Sequence, residues 1–171
     1  FLDWLAVFDP DVLIGWNVIN FDCWYLQRVA DQLGRRLLLG RNRRPAHWRS
    51  LDDEGERRAV QCPGRVVLDG IDMLRAAFYN FDSFALDNVA HELLGEGKLI
   101  HGANRGEEIG RLFQHDKTTL AAYNIKDCEL VTRIFEATSM LDFAVARTVM
   151  TGLNMDRMGG SVASFDNLYL P

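Results

Sequence analysis

Two short stretches of this sequence set acidic side chains beside residues that could work with them on a phosphate ester. Asp22 closes the run Gly15-Trp16-Asn17-Val18-Ile19-Asn20-Phe21-Asp22, where a short apolar segment gives way to helical periodicity. A carboxylate there is anchored on rigid elements, faces the crevice at a strand's carboxyl end and makes a good cation ligand. Tyr123 and Asp127 bracket Tyr123-Asn124-Ile125-Lys126-Asp127. Four residues is one helical turn, so the two side chains share a face. The acid could hold a divalent cation while the phenol orients a water. Taken singly, each feature has a plainer reading: Asp22 as a helix N-cap, and Tyr123 with Asp127 as a surface pair.

The elements that must position these residues are legible in outline. Phe1 to Phe8 reads as an amphipathic helix with Phe1, Leu5 and Phe8 at helical spacing, ended by Asp9-Pro10-Asp11. Val12 to Trp16 predicts a short strand covered on both faces, and a helix follows from about Asp22 to Leu33 until Gly34 stops it. Residues 35–64 lack sustained periodicity and predict a hairpin-like excursion from the core. Arg65 to Ile71 gives a second core strand, followed by a helix from Met73 to Phe78. Ser83 is the expected N-cap of a helix carrying Leu86, Val89, Ala90, Leu93 and Leu94, with Gly95 ending it. A polar loop over 96–106 and a short helix from Glu107 to Phe113 come next. Lys117 to Met150 predicts two helices meeting near Met140-Leu141-Asp142. Strand, helix, strand and then several helices imply an α/β layer architecture.

Composition is ordinary for a globular domain, with 48% apolar and 25% charged residues in 171. No stretch is apolar for long enough to span a membrane, and no secretory segment is evident. Cys23, Cys62 and Cys128 show no paired spacing and read as buried reduced thiols. His47, His91, His101 and His115 stand at no zinc-ligand spacing with them. A net charge of −5 is unusual for a dedicated DNA binder. Its distribution says more: eight arginines against four acids fall within residues 35–58. An acidic body that holds cations, with one basic arm, suits a nuclease; a solvated arginine-rich loop is the alternative.

Together the motifs carry a resemblance. N-x-x-x-F-D after a buried strand, followed roughly a hundred residues later by Y-x-x-x-D on a helix, resembles the second and third exonuclease motifs of family B DNA polymerases. Ser83-Phe84-Ala85-Leu86-Asp87-Asn88-Val89-Ala90 resembles the family's helix between those motifs. Glu92 to Lys98, Tyr123 to Val131 and Gly159 to Ala163 are similar to the family's bacterial members. The likeness spans most of the chain and is weakest over residues 35–62.

The resemblance implies an α/β, ribonuclease-H-like (DnaQ-like) exonuclease fold, here truncated at its N-terminal strands. It implies hydrolysis of the terminal phosphodiester at a DNA 3′ end. Carried over by position, Asp22 and Asp127 are metal-binding carboxylates and Tyr123 orients the attacking water. Asn17 and Phe21 would hold the frayed primer terminus, and Lys126 would meet a phosphate unless it is simply a surface lysine. Two ions, Mg2+ or Mn2+, complete such a site. The family draws two further acids from a D-x-E strand upstream, and no D-x-E precedes Asp22. Asp9-Pro10-Asp11 is no substitute, because Pro10 turns those carboxylates elsewhere.

The expectations are therefore a chain cut at both ends. Residues 1–150 would be the C-terminal part of the exonuclease domain, and residues 151–171 the start of the polymerase palm region. The parent would be a DNA-directed DNA polymerase with 3′→5′ proofreading, acting on DNA in the cytoplasm and without membrane contact. Any sliding clamp would be reached through the parent and not through this segment. Alone the segment is expected to be inactive. The competing expectation is a non-catalytic ribonuclease-H-like module that binds DNA or serves as a scaffold. An unrelated α/β hydrolase would need a G-x-S-x-G elbow, which this sequence lacks.

Overall fold

A parallel pair of strands, four residues each, sets the geometry of the region around Asp22. The computed structural model describes residues 1–96, 105–157 and 161–170. The chain divides into two compact units, Phe1–Tyr79 with Asp142–Pro171, and Asn80–Leu141.

In the first unit, α1 (Leu2–Phe8) buries Leu5. Phe1 and Phe8, predicted to share its apolar face, are exposed, and Phe8 stacks on Trp4 at 4.9 Å. Asp9, in the left-handed region at φ 48°, ends the helix. Strand β1 (Val12–Gly15) pairs in parallel with a later strand, Val66–Asp69, in a register that sets Gly15 opposite Asp69. β1 is only half-buried along its length, not covered on both faces as its apolar run suggests. A π-helical turn (Ile19–Cys23) leads into α2 (Trp24–Gln32), and Gly34 at φ 62° releases the chain.

Residues 47–61 form an antiparallel hairpin of β2 (His47–Ser50) and β3 (Arg58–Gln61). The surrounding segment is more than an excursion, because Leu37, Leu39, Val60 and Cys62 join Leu5, Cys23 and Val67 in one buried cluster. The hairpin packs back through Trp48, whose indole meets Trp24 edge-on at 5.1 Å and donates to Gln27 Oε1 at 2.9 Å. The guanidinium of Arg58 lies over the Trp24 ring at 4.2 Å.

Buried Arg65 ties this unit together. It donates to the carbonyls of Pro10, Leu39 and Leu5 and reaches the Asp9 carboxylate at 2.7 Å. Strand β4 (Val66–Asp69) then runs directly into α3 (Gly70–Ala76), a helix starting three residues earlier than its periodicity suggests. Farther on, α7 (Met140–Thr151) and α8 (Ser161–Tyr169) lie on either side of buried Leu153 in sequence.

In the second unit, α4 (Leu86–Leu94) buries Leu86, Val89 and Ala90 and ends at Gly95, φ 68°. Its N-cap position is Ala85, not Ser83. Ser83 instead builds the preceding turn: its Oγ accepts the Ala85 N–H at 3.2 Å and its carbonyl accepts the Asn88 amide at 3.0 Å. Helix α5 (Arg105–His115) is longer than predicted at both ends. Asp116 caps α6 (Lys117–Ala137) by accepting the Thr119 N–H at 3.0 Å. α6 packs against α4 and α5 and buries Leu130, Ile134 and Phe135. Ser139, at φ 50°, makes the break between α6 and α7 that the sequence places near Met140.

Most of the predicted loop over 96–106, and the motif residues Gly97, Lys98, Gly159 and Gly160, lie outside the described residues. Cys23 and Cys62 are buried free thiols, pushed by that burial up to about 12 and about 11. Cys128 is exposed, contrary to the expectation of three buried thiols, because it falls on the solvent side of α6. The architecture is mixed α/β, and no described helix is long and apolar enough to cross a membrane.

Candidate functional site

The predicted residues form two groups, one in each unit. In the first unit the chain leaves β1 at Gly15, where a Cβ would meet the Val18 side chain at 2.5 Å, so only glycine permits the tight exit. Asn17 follows in the left-handed region at φ 55°, a conformation asparagine tolerates better than most residues. Its carbonyl accepts the Phe21 N–H at 2.9 Å, and the Val18 carbonyl accepts the Cys23 N–H at 2.8 Å. The second bond spans five residues and defines the π turn, a helical irregularity frequent at functional sites.

Asp22 sits inside that turn with an exposed side chain. It is not a helix N-cap, since that position falls on Val18. Partial desolvation raises its carboxyl above the ordinary range, offset in part by its own backbone N–H. Phe21 beside it is 68% exposed, an apolar surface open to a base or sugar. Asn20 holds the turn to the hairpin by accepting the Arg58 N–H at 2.9 Å.

Sequence reasoning passed over Asp69. It ends β4, is 4% exposed, and its carboxylate accepts N–H groups from Asn17 (3.2 Å), Ile19 (3.3 Å) and Ile71 (3.0 Å). Burial, reinforced by nearby Asp72, pushes its pKa up to about 6 against the pull of those three amides. The available signal was an acid at the carboxyl end of an otherwise apolar strand, the usual location of sites in such sheets. Next to Ile19 and Asp69 opens a cleft of about 570 Å³ that Arg49, Arg57, Arg58 and Arg75 also line. Other arginines of the basic stretch are engaged internally: Arg41 with Asp9 (2.9 Å) and Asp11 (2.6 Å), and Arg43 with Asp3 (3.1 Å).

In the second unit Tyr123 and Asp127 lie one turn apart on α6, Tyr123 buried and Asp127 half-buried. Lys126 pairs with Glu96 at 3.0 Å, and Arg133 meets the same oxygen at 2.6 Å. Arg133 first, and Lys126 after it, hold the Glu96 carboxyl down to about 2. The Lys126 ammonium thus already has a carboxylate partner. Asp22 and Asp127 each present hard oxygens of the kind Mg2+ and Mn2+ take. Among the described residues, however, no group of three or more His, Cys, Asp or Glu side chains gathers closely enough to hold an ion. Within each unit the described residues supply single ligand positions, Asp22 in one and Asp127 in the other, and not a whole ligand set.

Residues 1–89 match the family model described as DNA polymerase family B, exonuclease domain. DNA polymerase II of Escherichia coli (strain K12) is 48% identical over 169 residues, covering 98% of this chain and 22% of that protein. A DNA polymerase of Thermococcus litoralis is 34% identical over 121 residues, 70% of this chain and 7% of its own length. The DNA polymerase delta catalytic subunit of Bos taurus is 29% identical over 160 residues, 87% of this chain and 14% of its own. The chain spans about a fifth or less of the length of these relatives.

Proposed function

Since the chain belongs to family B DNA polymerases and carries sequence of their exonuclease domain, we propose that it is the downstream part of a 3′→5′ proofreading site with a ribonuclease-H-like fold. Residues 1–150 belong to that domain on this reading, and residues 151–171 begin the polymerase palm. The parent is a DNA-directed DNA polymerase of the polymerase II kind, working on DNA in the cytoplasm. Its substrate here is the single-stranded 3′ end of a primer.

The observation that carries the reading is the strand-end loop. It sets an exposed aromatic, Phe21, directly before the carboxylate of Asp22, and its Ile19 borders a cleft lined by arginines together with Asp69, Asp72 and Asp156. Phe21 packs against the terminal base or sugar, Asn17 steadies the strand, and the cleft arginines take its phosphates. Tyr123 orients the water that attacks the terminal phosphorus. Asp22 and Asp127 would hold Mg2+ or Mn2+, whose chemistry there would be to activate that water and neutralise the leaving 3′ oxygen. Lys126 spends one of its three donors on Glu96 and keeps the others for a phosphate. Two cations at one phosphate need more carboxylates than gather among the described residues, and on this reading the resemblance's D-x-E motif would supply the others.

The test is degradation of a 5′-labelled single-stranded oligonucleotide with Mg2+ or Mn2+. We expect none from the 171-residue chain and 3′→5′ shortening by a full-length polymerase that carries it. Rapid shortening by the chain alone, lost in Asp22→Ala, would overturn the incomplete-site reading. Shortening by the full-length enzyme that survives Asp22→Ala would overturn the site itself.

A further inference from the structure

We propose that Asp69 is a positioning residue for the exonuclease site, a buried clamp fixing the loop from which Asn17, Phe21 and Asp22 project. The inference rests on the proposed function and adds to it a residue outside the recognised motifs.

Asp69 already has a simpler duty as N-cap of α3, accepting the Ile71 N–H at 3.0 Å. A cap of that kind is satisfied by one amide and is ordinarily left at the surface. Asp69 is 4% exposed and takes two further amides, Asn17 at 3.2 Å and Ile19 at 3.3 Å, from a loop about fifty residues earlier. Oδ1 accepts from Asn17 and Ile71, while Oδ2 accepts from Ile19.

The parallel register explains why the reach is possible. Gly15 lies opposite Asp69, so the first residues beyond β1 emerge over the end of β4. Strand pairing has ended there, and the loop amides have lost their ladder partners. The carboxylate supplies acceptors in their place.

The consequence passes forward through the backbone. The carbonyls of Asn17 and Val18, the residues bracketed by the clamped amides, accept the N–H groups of Phe21 and Cys23. Asp22 sits between those two. Its placement therefore depends on a turn whose first residues Asp69 holds. Misplacing a reacting group by about 1 Å can cost on the order of 10²-fold in rate.

Two measurements test the clamp. In the 171-residue chain, amide hydrogen exchange should quicken at Asn17 and Ile19 in Asp69→Ala, with the β1–β4 amides still protected. Asp69→Asn, which keeps one acceptor oxygen, should fall between. In a full-length polymerase carrying this chain, single-turnover 3′ excision should slow on the order of 10²-fold in Asp69→Ala, with partial rescue in Asp69→Asn. The drop should appear in the rate constant, since mere destabilisation lowers the reacting fraction instead. Unchanged exchange at Asn17 and Ile19, or a loss confined to amplitude, would overturn the clamp. Asp22→Ala in the same assay separates the two claims: if it retains activity, the site reading has failed; if it is inactive while Asp69→Ala keeps its rate constant, only the clamp has.

Discussion

Asp22 and Asp127, the acids proposed as metal ligands, lie in separate units, and different physics builds the region around each. Tyr123 and Asp127 owe their relation to helical periodicity alone, since both lie on α6 one turn apart. Asp22 owes its position to a parallel strand register, a glycine exit, a left-handed asparagine and a buried carboxylate distant in sequence. On a helix face the spacing of two side chains survives the loss of a distant partner. A strand-end loop transmits the loss of a remote partner to everything it carries.

That contrast can be broken most directly by activity. Asp22→Ala and Asp127→Ala in a full-length polymerase should each lower excision by at least about 10³-fold, while Tyr123→Phe, which leaves the acids in place, should cost on the order of 10²-fold. Equal losses in all three would erase the distinction between holding the ions and orienting the water.

Stability gives the next largest effect. Arg65 is a buried cation that donates to three carbonyls and Asp9, and in Arg65→Ala Asp9 keeps Arg41 and the Leu5 carbonyl keeps the Asp9 N–H, while the Pro10 and Leu39 carbonyls lose this donor. Removing the donor from a buried carbonyl costs about 1–3 kcal/mol for each one. Denaturant unfolding should show that loss, and hydrogen exchange should localise it to residues 1–79.

A pH series sharpens the comparison further. The folded-state pKa of Asp69 is raised from 3.8 to about 6, so the folded state binds its proton more tightly than the unfolded chain. The site's contribution is therefore greatest below about pH 4 and declines as pH rises to about 6, by roughly 3 kcal/mol in total. Asp69→Asn should flatten that part of the stability profile. An identical slope in both proteins would place the titration elsewhere.

Glu96 marks the small end of the scale and the opposite sign. Its pKa is lowered to about 2 by Arg133 and Lys126, so its contribution is present above the ordinary glutamate value and fades as pH falls toward 2. The carboxylate is partly exposed and salt screens it. Glu96→Gln should shift the melting temperature slightly at low salt and hardly at all at high salt.

Both acids of the proposed site were legible in the sequence because each sits in a short local pattern, N-x-x-x-F-D or Y-x-x-x-D. The elements around them were legible too. The α6–α7 break, the stop at Gly34 and the positions of the two parallel strands follow from periodicity, apolar runs and residues that admit a left-handed turn, whereas the half-burial of β1 does not. Some local readings failed where a neighbour's geometry intervened. Ser83 builds a turn before α4 instead of capping it, and Asp22 lies inside a π turn instead of at a helix start.

The sequence by itself carried the family resemblance and the outline of the elements, because motifs and helical spacing are local properties. Only the tertiary structure decided that Asp69 faces the Asn17–Ile19 loop, that Arg65 sits inside and is fully engaged, and that Arg41 serves Asp9 and Asp11. These are pairings across some thirty to sixty residues, set by strand register and by the need of each buried polar group for a partner. No local pattern records which distant amide or carboxylate meets that need.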